Sequence, residues 1–385
     1  MKTIHILYAV ALVAVSCGSN THKTGNPTAD QLYAEQDSAL ARQEQYSDTI
    51  TIRYARGLSV RYASDGVHVR ICNPDPMADD TRVEEFVVTS PASRFICTTA
   101  LQLGAFEVLG LEDRVVGINS LRNLFSPVIQ QQIVDGQTVQ IGREGTFDLE
   151  TVIASQPDYI FVSASKHGGF EALRECGIPL ITHHGYKETD PLGQAEWIKL
   201  VGLLTGETRR ANAVFADVER KYLALKTEVM SLDSAARAEG NSSWRPTVVS
   251  GRQMRDGWYV VGGRSYMAQL FADAGADYVM SDVESSGGIS LDFEAVYARA
   301  VDADFWQTDG SNEDMFSLQQ LADEDPRYAT LRAFRNNHVL YCNLAHTPYR
   351  ELAGLQPHLV LADFVKAFHP EIMPNYVPHY YTPLQ

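Results

Sequence analysis

Cysteine is scarce in this chain: five in 385 residues, with no CxxC pair. Beyond Cys17 they are Cys72, Cys97, Cys176 and Cys342, a spread that argues against a thiolate-built zinc or iron–sulfur site. Cys97 and Cys176 lie on or beside apolar segments and read as buried free thiols, with a disulfide left open. Positive charge is also short. Lys and Arg number 32 against 48 Asp and Glu, a net charge of −16, which argues against nucleic acid and anionic membrane surfaces as partners. GxSxG, GxxxxGK[ST], HExxH and GxGxxG are all missing, so no nucleophile elbow, phosphate loop or metalloprotease helix is indicated. An enzyme is therefore disfavoured. No His-rich loop is present, and no metal or cofactor site is assigned. The apolar run Ile4–Val15 is too short for a permanent membrane span.

That run has another use. Lys2 precedes it and Ala14-Val15-Ser16-Cys17 closes it, the layout of a charged n-region, a short h-region and a small-residue cleavage site. The phrase resembles a bacterial lipobox, with Ala14 where Leu is usual. Residues 1–16 are read as a signal peptide and Cys17 as the lipidated first residue. An ordinary leader with an incidental Cys is the alternative. The expected location is the cell envelope, periplasmic and lipid-anchored, with the anchor as the one membrane contact.

The most informative pattern is a repeat. Asp148-Leu149-Glu150-Thr151-Val152-Ile153-Ala154, then Pro157-Asp158-Tyr159-Ile160-Phe161, returns about 145 residues later as Asp292-Phe293-Glu294-Ala295-Val296-Tyr297-Ala298, then Ala303-Asp304-Phe305-Trp306. Each copy reads as an Asp-capped helix, a turn and a buried strand. Upstream, Leu103–Gly110 with Val115-Val116 matches Met267–Gly275 with Tyr278-Val279. The fold class expected is α/β: two Rossmann-like lobes with parallel sheets, joined by a single long helix, plus a small N-terminal β extension.

The boundaries expected are a tether at 17–48, a β-meander extension at 49–90 and a first lobe at 91–195. Connecting helices follow at 196–240, then a second lobe at 245–371 and a tail at 372–385. The meander rests on period-two alternation through Ile50, Ile52, Tyr54, then Leu58, Val60, Tyr62, then Val67, Val69, Ile71. The joining helix rests on Ala211, Val214, Phe215, Val218, Tyr222, Leu225 and Val229. Read as Thr208–Met230, it spans about 35 Å at 1.5 Å per residue. A helical strut predicts modest lobe closure.

Several phrases, taken in order, carry a family resemblance. They are Ile141-Gly142 before the first repeat, Glu196–Gly206 (EWIKLVGLLTG), Trp258–Tyr266 (WYVVGGRSY), Asp273–Tyr278 (DAGADY), and Pro357 with His369-Pro370-Glu371. Over about residues 91–371 the chain resembles the periplasmic binding proteins that feed ATP-driven importers of ferric siderophores, cobalamin and haem. His358 stands where relatives commonly carry Asp. The resemblance implies a monomer that holds a small molecule in the groove between its lobes and hands it to the dimeric permease of an ABC importer. It also implies that Glu150 and Glu294, one per lobe, dock on permease arginines. The repeat agrees, because two equivalent carboxylates suit two equivalent basic patches. The alternative is that each acid merely suits the first turn of its helix.

Contacts in such a groove come from loops after strand C-termini. In the first lobe these are Thr98-Thr99, Ser120–Asn123, Ser165 with Lys166 and His167, and His183, His184 and Tyr186. In the second they are Arg252, Arg255, Trp258, Tyr259, His346, Tyr349 and Arg350. Aromatic faces suit a large ligand, and arginines pair bidentately with anionic chelates. A ferric siderophore-type chelate ranks first as cargo, then cobalamin, then haem. His183-His184, with His167 and His346, leaves a bare divalent metal as an alternative. An adhesion or structural lipoprotein is disfavoured by the paired lobes.

Overall fold

The structure, a computed structural model, describes residues 28–34, 39–122, 124–143, 146–163, 170–255 and 257–385. The leader, Cys17, Lys166 and His167 lie outside the described residues.

Three strands form an antiparallel meander: β1 (Leu58–Ala63), β2 (Gly66–Cys72) and β3 (Val83–Val88). The expected first strand, around Ile50–Tyr54, is not a strand. Its N–H groups are spent on side chains: Glu196 accepts from Arg53, Tyr54 and Ala55, and Glu188 from Arg56 and Gly57. A backbone so occupied cannot join a ladder, and β3 supplies the third strand instead. The extension is also fastened by Glu84, whose carboxylate accepts from the backbone and hydroxyl of Thr182.

The first lobe's sheet comprises β4 (Phe95–Cys97), β5 (Val115–Ile118), β6 (Val139–Gln140), β9 (Tyr159–Ser163) and β10 (Leu180–His183). Its order is β10-β9-β4-β5-β6, all parallel. A hairpin of β7 (Gly142–Arg143) and β8 (Thr146–Phe147) intervenes. Both faces of the sheet are covered, as an all-parallel sheet requires. Ile96, Ile160 and Val162 pack into one core, while Phe95, Cys97 and Phe161 pack into the other.

The second lobe's main sheet contains β11 (Thr247–Ser250), β14 (Asp277–Tyr278), β16 (Phe305–Gly310), β17 (Val339–Asn343) and β18 (Thr382–Pro383), in the order β14-β11-β16-β17-β18. All but β18 are parallel. Beside it lies a three-stranded antiparallel sheet of β12 (Arg252–Met254), β13 (Gly257–Val261) and β15 (Gly288–Leu291). Reading the main orders side by side, β10-β9-β4-β5 matches β17-β16-β11-β14. The sequence repeat is thus a repeat of topology. Asp148 and Asp292 cap their helices as expected, accepting from Thr151 N–H and from Glu294 and Ala295 N–H.

The joining helix runs Thr208–Ala238, longer than its apolar stripe. Past Val229 the last two turns are mostly exposed, with Ala236 buried, and carry an Arg237–Asp233 pair at i,i+4. Phe215 packs near Tyr54 of the extension, while Tyr222 donates to Asp273 of the second lobe at 2.6 Å. The tail is part of the second lobe. The buried carboxylate of Asp363 accepts from His379, Tyr380 and Tyr381 N–H and from Tyr376 hydroxyl, aiming β18 onto β17. His358 is buried in the last helix, and its carbonyl accepts from Tyr33 hydroxyl, so it faces the N-terminal segment rather than a groove wall.

Candidate functional site

The lobes meet where each sheet's strands end. After β17 the chain turns through Leu344–Pro348 and enters a short π-helical segment, Tyr349–Ala353, packed on the first lobe's helix Ala100–Leu109. The approach is close because Gly104 faces the crossing: a Cβ there would lie 2.0 Å from the Glu351 carbonyl oxygen. The Ala100–Leu109 helix begins at Thr99, where a capping box with Gln102 satisfies the first backbone donors.

Around this crossing lies a small cavity of about 50 Å³. Thr99 comes to it from the end of β4; Asn119, Ser120 and Arg122 come from the end of β5; Glu351 comes from the other lobe. Glu351 is 1 % exposed; its Oε1 accepts Phe125 N–H at 3.1 Å and its Oε2 has no partner. Burial lifts its carboxyl to about 7, against the Phe125 hydrogen bond, and nearby Glu107 adds to the rise. On the second lobe, Arg252 pairs with Glu324 at 3.0 Å, and Arg252 and Arg350 both act on Asp309 at the end of β16. Arg122 and Arg350, one from each lobe, are exposed; Arg350 acts electrostatically on Asp309, but neither arginine makes a close ion pair among the described residues.

The expected contacts divide in three. Thr98, Arg252, Arg350 and His346 lie at strand C-termini; Thr98 Oγ1 is buried without a partner, and His346 Nε2 meets the Glu313 carbonyl at 2.7 Å. Arg255 is exposed, and Tyr259 is 47 % exposed, its hydroxyl end crossing the backbone of Gly288. Tyr186 is half-exposed, with the Lys187 ammonium 5.4 Å from its ring. Three others are corrected. Trp258, expected in the groove, is fully buried among Phe293, Trp306 and Tyr328 and donates to the Ser250 carbonyl. Strand alternation sends Trp258 inward and Tyr259 outward. His183 is buried 4.7 Å from Trp197, and desolvation, with His184 beside it, lowers its pKa to about 3, so it is a neutral core histidine. Tyr349 wedges edge-on between Tyr380 and Tyr381 of the tail.

His184 faces a separate cavity of about 310 Å³ beneath the extension, with Asp80, Arg82 and Glu84. The two adjacent histidines therefore point apart. Among the described residues no three His, Cys, Asp or Glu side chains converge as metal ligands. The four described cysteines are unpaired.

Glu351 was not among the expected contacts. Arg122 sits in the loop read as a contact segment, Ser120–Asn123, and Glu351 directly follows Arg350. Neither position shows in sequence that the chain crosses between lobes there.

Glu150 and Glu294 are exposed and occupy the same position, one residue into their helices. Their surroundings differ, since Arg327 approaches Glu294 to 3.8 Å.

Comparison with known proteins gives concordant results. A family model described as periplasmic binding protein matches residues 96–344. An uncharacterized lipoprotein of Methanocaldococcus jannaschii is 24% identical over 307 residues, 77% of this chain and 69% of the relative. Among solved structures, a periplasmic binding protein from Veillonella parvula superposes with a TM-score of 0.59 at 15% identity, covering 76% of this chain and 96% of that one. A protein of an ABC-type Fe3+-hydroxamate transport system from Saccharomonospora viridis gives 0.56 at 18% identity, over 74% and 96%.

Proposed function

The chain belongs to the periplasmic binding protein family, and from that premise we propose that it captures a ferric chelate of the siderophore type between its lobes and delivers it to an ABC importer permease. The observation that carries this reading is the pair Arg122 and Arg350. Arg122 lines the cavity at the crossing between the lobes, and Arg350 sits in the crossing segment directly before Glu351. Both are exposed and make no close ion pair among the described residues, in a protein whose net charge is −16. Exposed guanidinium groups outside any close ion pair suit a ligand rich in anionic oxygens, which they bind bidentately. Arg252, Arg255, Tyr259, His346 and Thr98 extend the proposed contact surface. Residues 1–16 serve as leader, Cys17 carries the lipid, and the following segment tethers the lobes to the envelope.

Tryptophan emission titrated with a ferric trihydroxamate, cyanocobalamin and haemin tests the cargo. Saturable quenching by the ferric chelate is expected, weakened at least about tenfold in Arg122→Ala and in Arg350→Ala, the worth of one charge-assisted hydrogen bond. Saturation by cobalamin or haemin alone would reassign the cargo.

Delivery is proposed to run through Glu150 and Glu294. The double substitution Glu150→Ala/Glu294→Ala should reduce cellular uptake at least about tenfold while leaving cargo affinity within about twofold, since rim charges act on association with the partner. Uptake at the wild-type rate would refute docking through these acids.

A further inference from the structure

One acid in the groove is buried without being satisfied. Glu351 Oε1 has Phe125 N–H, but Oε2 has nothing, although the residue is 1 % exposed. A carboxylate oxygen cut off from water needs a donor. The place for one is present, since Glu351 lines the cavity of about 50 Å³ that Thr99, Asn119, Ser120 and Arg122 complete. A water needs only roughly 10–15 Å³ of such space, so this cavity is large enough to admit a water or an ammonium. It lies at the carboxyl ends of β4 and β5, the side on which α/β sheets bind ligands. The charged groups facing Glu351 are Glu107 on the packed helix and Arg122 at the cavity wall. Glu107 reinforces attraction for a cationic donor and Arg122 opposes it.

We propose that Glu351 is a cargo-recognition residue whose Oε2 accepts a hydrogen bond from an ammonium or hydroxyl at one end of the cargo. The inference rests on the ferric-chelate reading and narrows it to chelates that carry such a donor. Because Glu351 belongs to the segment that crosses to the first lobe at Gly104, a donor seated there touches both lobes at once.

Two probes isolate the contact: a linear ferric trihydroxamate ending in a primary ammonium, and the same chelate N-acetylated. The wild-type protein should bind the ammonium form tenfold to a hundredfold more tightly at pH 8, the range of a charge-assisted hydrogen bond. Glu351→Gln keeps an acceptor for Phe125 N–H but loses the charge, and should bring the ratio close to one. Glu351→Asp, which withdraws the carboxylate by one methylene, should lower it in part. Glu107→Gln removes a charge outside the cavity wall and should lower the ratio far less than Glu351→Gln does. Equal binding of both probes by the wild-type protein overturns the proposal and leaves a water as the cavity's occupant. A preference undiminished in Glu351→Gln overturns it as well. Failure of both chelates to bind overturns the ferric-chelate reading, and this inference with it.

Discussion

Replacing Glu196 by Ala should lower the unfolding free energy by about 3–5 kcal/mol, the usual cost of breaking a buried ion pair by removing one member. Glu196 is fully buried and holds four groups. It accepts Arg53 N–H at 3.0 and 2.9 Å, Tyr54 N–H at 2.7 Å, Ala55 N–H at 3.0 Å and the Lys199 ammonium at 2.7 Å. Lys199 is itself buried, 4.3 Å from the Phe215 ring centroid, and its one other acceptor among the described residues is the Thr51 carbonyl. Alanine would strand an ammonium and three backbone donors together. Urea unfolding measures the loss, and limited proteolysis reports whether residues 49–57 come free before the lobes unfold. A loss under about 1 kcal/mol with that segment still protected would mean that Glu188 suffices to hold the extension.

The second large effect depends on pH. Glu351 sits at about 7 in the folded protein against 4.5 for an ordinary glutamate, because burial penalises its ionised form. Between those values the folded protein keeps a proton that the unfolded chain has released. Its contribution to stability is therefore full below about pH 4.5, falls as pH rises, and levels off above about 7. At 1.36 kcal/mol per unit the whole change is about 3 kcal/mol. Glu351→Gln should match the wild type near pH 4.5 and exceed it by up to about 3 kcal/mol at pH 8. Subtracting the two unfolding curves removes the opposing trend from lowered carboxyls such as Asp217. A difference independent of pH would show that folding leaves the Glu351 carboxyl in its ordinary range.

The architecture was legible because it repeats. The two Asp-Φ-Glu phrases, with Φ Leu149 or Phe293, and their upstream partners announced two lobes, and the sheets obey the same order. The joining helix was legible from its stripe, but its end was not, since its last turns are held by charge pairs that carry no apolar period. Alternation misled at Ile50–Tyr54 because the partners of that segment are carboxylates at 188 and 196, far along the chain. In the site, side-chain type pointed to Arg252, Arg350 and Tyr259, but alternation within one strand separated Tyr259 from Trp258. Arg122 lay inside the expected Ser120–Asn123 loop, but its meeting with Glu351 was hidden for another reason. Their importance comes from a crossing between lobes, and Gly104, which permits it, looks in sequence like any helical glycine.

The placement of β18 fixes an order of events during synthesis. Residues 379–384 are aimed by Asp363 and hydrogen-bonded along β17, with Tyr380, Tyr381 and Leu384 buried beneath them. On the ribosome, the second lobe would have every helix of its core before it had its edge. Until those residues emerge, β17 presents an unpaired rim open to any passing strand. The first lobe, with its strands complete by residue 183, has no such wait. The two halves that match so closely in space are thus unequal in time: one is finished early, and the other stays vulnerable until residues 379–384 have been made.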